Sequence, residues 1–251
     1  MPDRGGARMQ PAAPQPVRPQ AVVFDVLETL MDLAPMSARF AQVGFTGLLR
    51  PWFLRLQRDC MALALSGDSP DFRTAARQAL RVETEQRASE DALDHVLEGF
   101  EGLPAHPDAQ EALRTLDEAG VRVGCLSVGE EATVRAFLER AELAPYVREL
   151  VTAADTGTWK PAPEVYRVAA ERMGTPAART ALVAVHAWDC HGAKRAGWTA
   201  GWCARLEGRH GAELFVRPDV TGRDLPEVAA GLLALPGSPG EAGAVNAPGA
   251  P

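Results

Sequence analysis

Residues 21–24 form a short apolar run that follows Pro19-Gln20 and ends at Asp25. An apolar run without alternation is typical of a strand buried on both faces of a parallel sheet. Asp25 would then stand at the carboxyl end of that strand, which is the edge where ligands bind in open α/β sheets. The alternative interpretation is an aspartate that only caps a turn.

Between about residues 35 and 103 the apolar positions recur at helical spacing, and no strand pattern interrupts them. Residues 67–70 read as a turn before a new helix. Ser89 is a good N-cap because two acidic residues follow it in the first turn. We expect a helical insertion after the first strand.

From His106 onward the pattern alternates between helix and strand, which predicts βαβ units and a parallel sheet. The predicted strands are 121–126, 149–152, 181–185 and 199–203, and the predicted helices are 108–119, 130–141, 161–173, 193–197 and 225–235. The chain should therefore adopt an α/β fold.

Both ends of the chain are rich in Pro, Gly and Ala and cannot bury enough apolar surface to offset their ordering entropy. We predict disordered tails over 1–19 and 236–251. The core would comprise 20–35 and 104–235, with the inserted helices at 36–103.

The 251 residues carry a net charge of -7 and no long Lys/Arg cluster, which argues against nucleic-acid or membrane partners. No segment is long enough to span a bilayer or to act as a signal peptide. The cysteines have no disulfide or metal-ligand spacing; they are Cys60, Cys125, Cys190 and Cys203. We expect a cytoplasmic protein with reduced thiols, no cofactor, no metal and a small-molecule substrate.

Polar residues gather at the predicted strand ends. Asp25, Ser127 and the segment 186–189 follow separate strands, and Lys160 precedes a helix. Carboxyl ends of parallel strands meet at one edge, so these side chains should converge. Lys160 could be a solvated lysine, yet a cation is unfavourable at a helix N-terminus, which favours a role in the site. His186 is either a loop histidine or a group that activates water, for which an ordinary pKa of about 6.5 is suited.

The set of motifs resembles the haloacid dehalogenase (HAD) superfamily and, within it, the 2-haloacid dehalogenase type II group. The matching segments are 24–30, 126–127, 160–166 and 186–189 with Gly192-Ala193, spread over about 20–235. The resemblance implies a Rossmann-like HAD core with a parallel sheet and a helical cap inserted after the first strand. A homodimer is also implied by the family.

Carried over by motif, the resemblance implies that Asp25 is the nucleophile and Ser127 the hydroxyl that orients the nucleophile or the substrate. Lys160 becomes the charge partner and Asp189 the second carboxylate. An ionised carboxylate needs no base to act as a nucleophile and can form an ester. The nearby ammonium would keep Asp25 ionised despite burial.

Two absences favour dehalogenation over phosphate chemistry. Phosphatases of the superfamily carry an acid two positions after the nucleophile, where Leu27 stands here, and an alkoxide needs a proton whereas a halide does not. They also bind magnesium through an acid at a position occupied here by Ala184 or Val185. We predict metal-independent displacement of halide from a small 2-haloacid, which yields a 2-hydroxy acid.

Water would then hydrolyse the Asp25 ester near Lys160, His186 and Asp189. Arg50 is the candidate for the substrate carboxylate and Arg55 the fallback, because arginine binds carboxylates in bidentate fashion.

The expected pocket wall departs from the family pattern. Leu27, Val128 and Trp188 are its predicted members; the first two stand where the family has polar or aromatic groups and an Asn. Ala184 and His186 occupy positions where the family holds the hydrolytic water with Ser and Asn. A catalytically degenerate HAD-fold binding protein therefore remains an alternative, and a HAD phosphatase ranks after it.

Overall fold

The computed structural model describes residues 15–237 and contains one sheet of six parallel strands. The strands are β1 (Ala21–Asp25), β2 (Arg122–Ser127), β3 (Val147–Thr152), β4 (Thr180–Ala184), β5 (Thr199–Cys203) and β6 (Val220–Gly222). Their spatial order is β3-β2-β1-β4-β5-β6. The first strand therefore lies inside the sheet, between strands that come from later in the chain.

The helices divide into an inserted group and a group that connects the strands. They are α1 (Met36–Gln42), α2 (Leu49–Ser66), α3 (Phe72–Glu83), α4 (Glu90–Leu97), α5 (Ala109–Glu118), α6 (Glu131–Arg140), α7 (Ala153–Thr156), α8 (Pro163–Met173), α9 (Ala187–Arg195) and α10 (Leu225–Leu233), with short 3₁₀ helices at Glu98–Gly102 and Ala177–Arg179. The helices α1 to α4 lie between β1 and β2. The predicted α/β fold with a helical cap after the first strand is confirmed.

The burial of β1 explains its unbroken apolar sequence. Val22 and Phe24 pack in the larger core cluster, and Ala21 and Val23 pack in the cluster on the opposite face of the sheet. Asp25 is paired in register with Leu126 of β2. Because both faces are covered, every residue of the strand is buried and only its carboxyl end is available for chemistry.

Most predicted boundaries agree with the observed ones within two residues, and Ser89 caps α4 by accepting a hydrogen bond from the Ala92 amide. The helix predicted over 193–197 is wrong in its start, since α9 begins at Ala187. Its first turn is buried on nearly all sides, so no amphipathic pattern marks it. The sequence reading also missed the short β6 and α7.

The inner ends of the two predicted tails are hydrogen-bonded to each other, and the first is also bonded to the fold. The Arg18 amide donates to the Pro236 carbonyl at 2.8 Å, and the Arg18 guanidinium donates through Nη2 to the Ala119 carbonyl at 3.3 Å. Residues 1–14 and 238–251 lie outside the described part of the chain, so their predicted disorder stays a prediction.

All four cysteines are buried free thiols. Burial, aided by the charge of Asp59, raises the pKa of Cys60 to about 12, and burial with Asp25 does the same for Cys125. Both thiols therefore stay protonated at neutral pH. Across residues 15–237 no helix combines the length and the apolar character needed to cross a membrane.

Candidate active site

The ammonium of Lys160 lies between two buried carboxylates at the carboxyl edge of the sheet. Its Nζ donates to Asp25 Oδ1 and to Asp189 Oδ2, both at 2.6 Å, and to the Leu126 carbonyl at 3.3 Å. The sequence separates these residues widely, but the central position of β1 brings them together. No group of three His, Cys, Asp or Glu side chains in the described chain could hold a metal ion.

Burial and neighbouring charges act in opposite directions on Asp25. Burial raises the pKa of this carboxyl, but the charge of Lys160 and the hydrogen bond from His186 outweigh it and hold the pKa well below the usual range. Asp25 is therefore an ionised and largely dehydrated carboxylate, only 4% exposed. Such a carboxylate is a competent nucleophile.

Thr29 holds the second oxygen of Asp25. Its Oγ1 donates to Asp25 Oδ2 at 2.6 Å and accepts from the Val185 amide at 3.1 Å. This hydroxyl joins the loop after β1 to the end of β4, and it fixes the rotation of the carboxylate. The sequence reading missed Thr29.

His186 bridges two carboxylates. Its Nδ1 lies 3.2 Å from Asp25 Oδ2, and its Nε2 lies 2.9 Å from Glu28 Oε2 and 3.4 Å from Gln57 Nε2. Burial lowers the pKa of His186, but the hydrogen bonds and charges of Asp25 and Glu28 outweigh it and raise the pKa to about 9. The ring is therefore an imidazolium at neutral pH, with Trp188 beside it at a centroid distance of 5.2 Å.

Asp189 lies in the first turn of α9 and is fully buried. The Tyr166 hydroxyl donates to its Oδ1 at 2.6 Å. Burial raises the pKa of Asp189, Lys160 opposes this shift, and the charge of Asp25 adds to it. A Cβ at Gly192 would overlap the Tyr166 hydroxyl, which explains a glycine at this point of the helix. Tyr166 packs its helix on the core, and its hydroxyl also binds the second carboxylate.

Ser127 stands at the end of β2, next to the strand of Asp25, and is 2% exposed. Its Oγ accepts a hydrogen bond from the Gly129 amide at 3.0 Å. Within residues 15–237 the hydroxyl that binds Asp25 is that of Thr29 rather than that of Ser127. The predicted role of Ser127 toward a substrate stays a prediction.

A small inner cavity of about 30 Å³ lies against the carboxylate of Asp25. Its walls include the predicted pocket residues Leu27, Val128 and Trp188, together with Lys160 and His186 and with side chains from α2 and α3. A cavity of this size admits about one water molecule.

A larger outer cleft of about 770 Å³ adjoins the inner cavity. The two share five wall residues, which are Phe53, Gln57, Met61, His186 and Trp188. Arg50, in the first turn of α2, is exposed and lines the outer cleft. Arg55 instead forms an ion pair with Glu83 of α3. Of the two predicted arginines, Arg50 is therefore the one that faces open space beside the site.

The residues that the sequence reading missed are the partners of the predicted ones. Glu28 and Gln57 contact His186, Thr29 contacts Asp25, and Tyr166 contacts Asp189. Glu28 and Thr29 lie within the first motif, so proximity to Asp25 was an available signal. Tyr166 ends the matching segment 160–166, so it carried the same signal, whereas nothing local to Gln57 indicates a contact with the site.

The family model and the related sequences that match this chain all belong to the haloacid dehalogenase type. The model of the haloacid dehalogenase-like hydrolases matches residues 19–197. The (S)-2-haloacid dehalogenase of Pseudomonas fluorescens is 29% identical over 85% of this chain and 96% of its own. The (S)-2-haloacid dehalogenase 4A of Burkholderia cepacia is 30% identical over 71% and 80%, respectively.

Solved structures agree with the sequence relatives. The crystal structure of an L-2-haloacid dehalogenase superposes with a TM-score of 0.78 at 27% identity, covering 88% of this chain and all of the other. A dehalogenase solved with an intermediate complex gives a TM-score of 0.76 at 25% identity, covering 84% of this chain and 96% of the other.

Proposed function

This chain belongs to the haloacid dehalogenase-like hydrolases, and on that premise we propose that it hydrolyses the carbon–halide bond of a small 2-haloacid through an ester on Asp25. The observation that carries the proposal is the state of Asp25. It is buried and ionised, and Lys160 and Thr29 hold its two oxygens at a cavity with apolar walls. The (S)-2-haloacid dehalogenases among its relatives support the choice of substrate.

The first step is displacement at C2 of the substrate by a carboxylate oxygen of Asp25. The new C–O bond forms as the carbon–halogen bond breaks, and the halide leaves with the electron pair. No proton is needed, which fits the apolar Leu27 in the wall of the inner cavity.

Trp159 is the donor that we propose for the departing halide. Its side chain lines the inner cavity and is 1% exposed. Within the described chain its Nε1 has no hydrogen-bond partner. A buried indole N–H without a partner is costly, and a halide would satisfy it.

The second step is attack of water on Cγ of the Asp25 ester. Asp189 is the proposed base, because burial and the neighbouring carboxylate raise its pKa while Lys160 and Tyr166 fix its two oxygens. Lys160 also lies against Asp25 Oδ1, where it would stabilise negative charge on the carbonyl oxygen. Over both steps one water is consumed, and one halide and one proton are released.

Metal independence is supported by the donor set. The ammonium of Lys160 occupies the space between the carboxylates of Asp25 and Asp189. The two positions where phosphatases of the superfamily carry a further acid are the buried apolar residues Ala184 and Val185. We therefore assign charge compensation in the site to lysine.

The size of the inner cavity requires the cap to move during substrate entry. Space for about one water cannot hold a 2-haloacid. Phe53, Gln57 and Met61 of α2 separate the cavity from the outer cleft, so a displacement of this helix would admit the substrate. Arg50 would then bind the substrate carboxylate from the cleft side.

The test is halide release from 2-chloropropionate and related acids, with and without EDTA. We expect turnover that is indifferent to EDTA and falls at least about 10³-fold in Asp25→Asn, because an amide is a poor nucleophile. Asp68→Asn serves as the control, since Asp68 is exposed in the turn after α2 and lines neither the inner cavity nor the outer cleft. EDTA-sensitive phosphate release from a generic ester would establish a phosphatase instead. Binding of 2-haloacids without halide release would support the alternative function, a catalytically degenerate binding protein.

A further inference from the structure

We propose that His186 is the general acid of the hydrolysis step and that Glu28 is the positioning residue that keeps it protonated. His186 would deliver its Nδ1 proton to the ester oxygen that leaves Asp25. The inference rests on the proposed ester mechanism, and it gives the imidazole the opposite role to that of a base which activates water.

The two oxygens of Asp25 have different partners, and this difference assigns their roles. Oδ1 accepts from the ammonium of Lys160, whereas Oδ2 accepts from Thr29 and lies 3.2 Å from His186 Nδ1. The oxygen that leaves with the product must gain a proton, because a 2-hydroxy acid is a poor leaving group as an alkoxide. Lys160 is the weaker acid of the two donors, because the charges of Asp189 and Asp25 raise its pKa. The imidazole beside Oδ2 is therefore the better proton donor, and we assign Oδ2 as the ester oxygen.

Glu28 is fixed in place by its backbone. It has a φ of 65°, which lies in the left-handed region that a glutamate rarely adopts. Its amide donates to the Met31 carbonyl at 3.0 Å, and its own carbonyl lies 3.1 Å from His106 Nε2. These contacts direct the side chain toward His186 Nε2. A strained residue held so firmly beside a reactive group suggests a functional constraint.

The charges around His186 favour the imidazolium throughout the cycle. Asp25 faces it from the end of β1, Glu28 from the following loop, and the uncharged Gln57 from α2. Lys160 reaches it only through Asp25. The carboxylate of Glu207 lies near the helix that His186 precedes, where it accepts a hydrogen bond from the Ala187 amide.

Formation of the ester removes the charge of Asp25 but leaves that of Glu28. The carboxylate that remains would therefore hold the proton on the ring until the ester is hydrolysed.

The protons balance over the step. Water attacks Cγ and gives one proton to Asp189. The Cγ–Oδ2 bond breaks, its electron pair stays on Oδ2, and His186 Nδ1 donates the proton that completes the product hydroxyl. The new carboxylic acid of Asp25 then returns its proton to the neutral imidazole, and Asp189 releases the other proton to solvent.

The site thus supplies an acid for the second step while Leu27 leaves the first step without one. The halide of the first step needs no proton, whereas the alkoxide of the second does. Two steps with different leaving groups would use two different parts of one cavity.

The experiment separates the steps in single turnovers with 2-chloropropionate from pH 6 to 10. Halide release reports ester formation, and the mass of the quenched protein reports the ester. The charge of Asp25 helps to raise the pKa of His186 to about 9 in the free protein, and the ester lacks that charge, so the imidazolium of the ester should lose its proton at a lower pH. An acid at this position predicts that ester hydrolysis is constant at the low end of the pH range and falls up to tenfold per pH unit above the pKa of His186 in the ester. In Glu28→Gln this falling limb should move down by about one pH unit or more, and halide release should change less than about twofold.

His186→Asn should form the ester and hydrolyse it about 10²-fold more slowly. The difference in the rate of ester hydrolysis between His186→Asn and the wild type should be smaller with a trifluoromethyl-substituted 2-haloacid. Its product alcohol is more acidic, so its alkoxide leaves with less help from an acid. A merely structural role would not produce this dependence on the leaving group. Asp68→Asn is the control, because Asp68 is exposed in the turn after α2 and lines neither cavity, and it should keep the wild-type pH profile.

Hydrolysis that accelerates with pH through the range 7 to 9 would overturn the acid role in favour of a base. If the fall of the ester-hydrolysis rate at high pH stays at the same pH in Glu28→Gln, Glu28 does not keep His186 protonated. The absence of both halide and ester in the wild type would instead refute the proposed function, so the two failures can be told apart.

Discussion

The inner cavity and the outer cleft meet at the same five side chains but are built differently. The inner cavity, about 30 Å³, is lined by ionised groups that come from separate elements at the carboxyl edge of the sheet, and Asp25 is hydrogen-bonded to both Lys160 and His186. The outer cleft, about 770 Å³, is lined largely by one helix, α2, and beyond the residues it shares with the inner cavity it includes exposed side chains such as Arg50. Reactive geometry therefore depends on the sheet, and access depends on the cap.

This difference predicts how substitutions should behave. In the inner cavity each charge has a partner, so removing one leaves another buried and uncompensated. In the outer cleft the loss of a side chain mainly exposes its neighbours to water. Changes inside should abolish single steps, and changes outside should alter binding.

Asp189→Asn should have the largest effect of the three changes considered next. An amide cannot accept the proton of the attacking water, so we expect ester hydrolysis to slow by at least about 10³-fold while the first halide is still released. Mass spectrometry after mixing with 2-chloropropionate should show a stable adduct on Asp25. Tyr166→Phe is the comparison, because it removes only the hydroxyl that holds Asp189 Oδ1. Wild-type hydrolysis in Asp189→Asn would exclude Asp189 as the base.

His186 should make the stability of the protein depend on pH. Its pKa rises from 6.5 to about 9 on folding, so the folded state binds the proton more tightly. The contribution is fully present below about pH 6.5 and is lost as the pH rises through about 9, with an upper magnitude on the order of 3 kcal/mol.

Urea unfolding at pH 6 and pH 10 measures this contribution. Wild type should lose more unfolding free energy over that range than His186→Asn does. Lys160 stays charged throughout, because the charges of Asp189 and Asp25 raise its pKa more than burial lowers it. Equal losses in the two proteins would show that the imidazolium is not stabilised by Asp25 and Glu28 in the folded state.

Arg50→Ala should have the smallest effect and tests the outer cleft. We expect KM for 2-chloropropionate to rise about tenfold with little change in kcat, since an exposed arginine would bind the substrate carboxylate without touching the reacting atoms. Arg55→Ala is the matched control from the same helix, because Arg55 is occupied by Glu83. A larger rise of KM in Arg55→Ala than in Arg50→Ala would reverse the assignment of the two arginines.

Much of the fold could be read from local patterns. The apolar run of β1, the alternation after His106 and the long helical stretch between them gave the α/β class and the place of the insertion. The start of α9 could not be read in this way, because its first turn is buried on nearly all sides and carries Asp189. Periodicity requires one side of a helix to face water.

The sequence by itself determined that Asp25 and Asp189 follow separate strands and should meet at one edge of the sheet, and the resemblance of its motifs added Lys160 to them. Only the tertiary structure decided their partners. Thr29 and Val185 are 156 positions apart, and His186 and Glu28 are 158 apart. Hydrogen bonds of a few ångströms depend on strand register and on side-chain rotamers packed between distant elements, and these follow from the whole fold rather than from any local pattern.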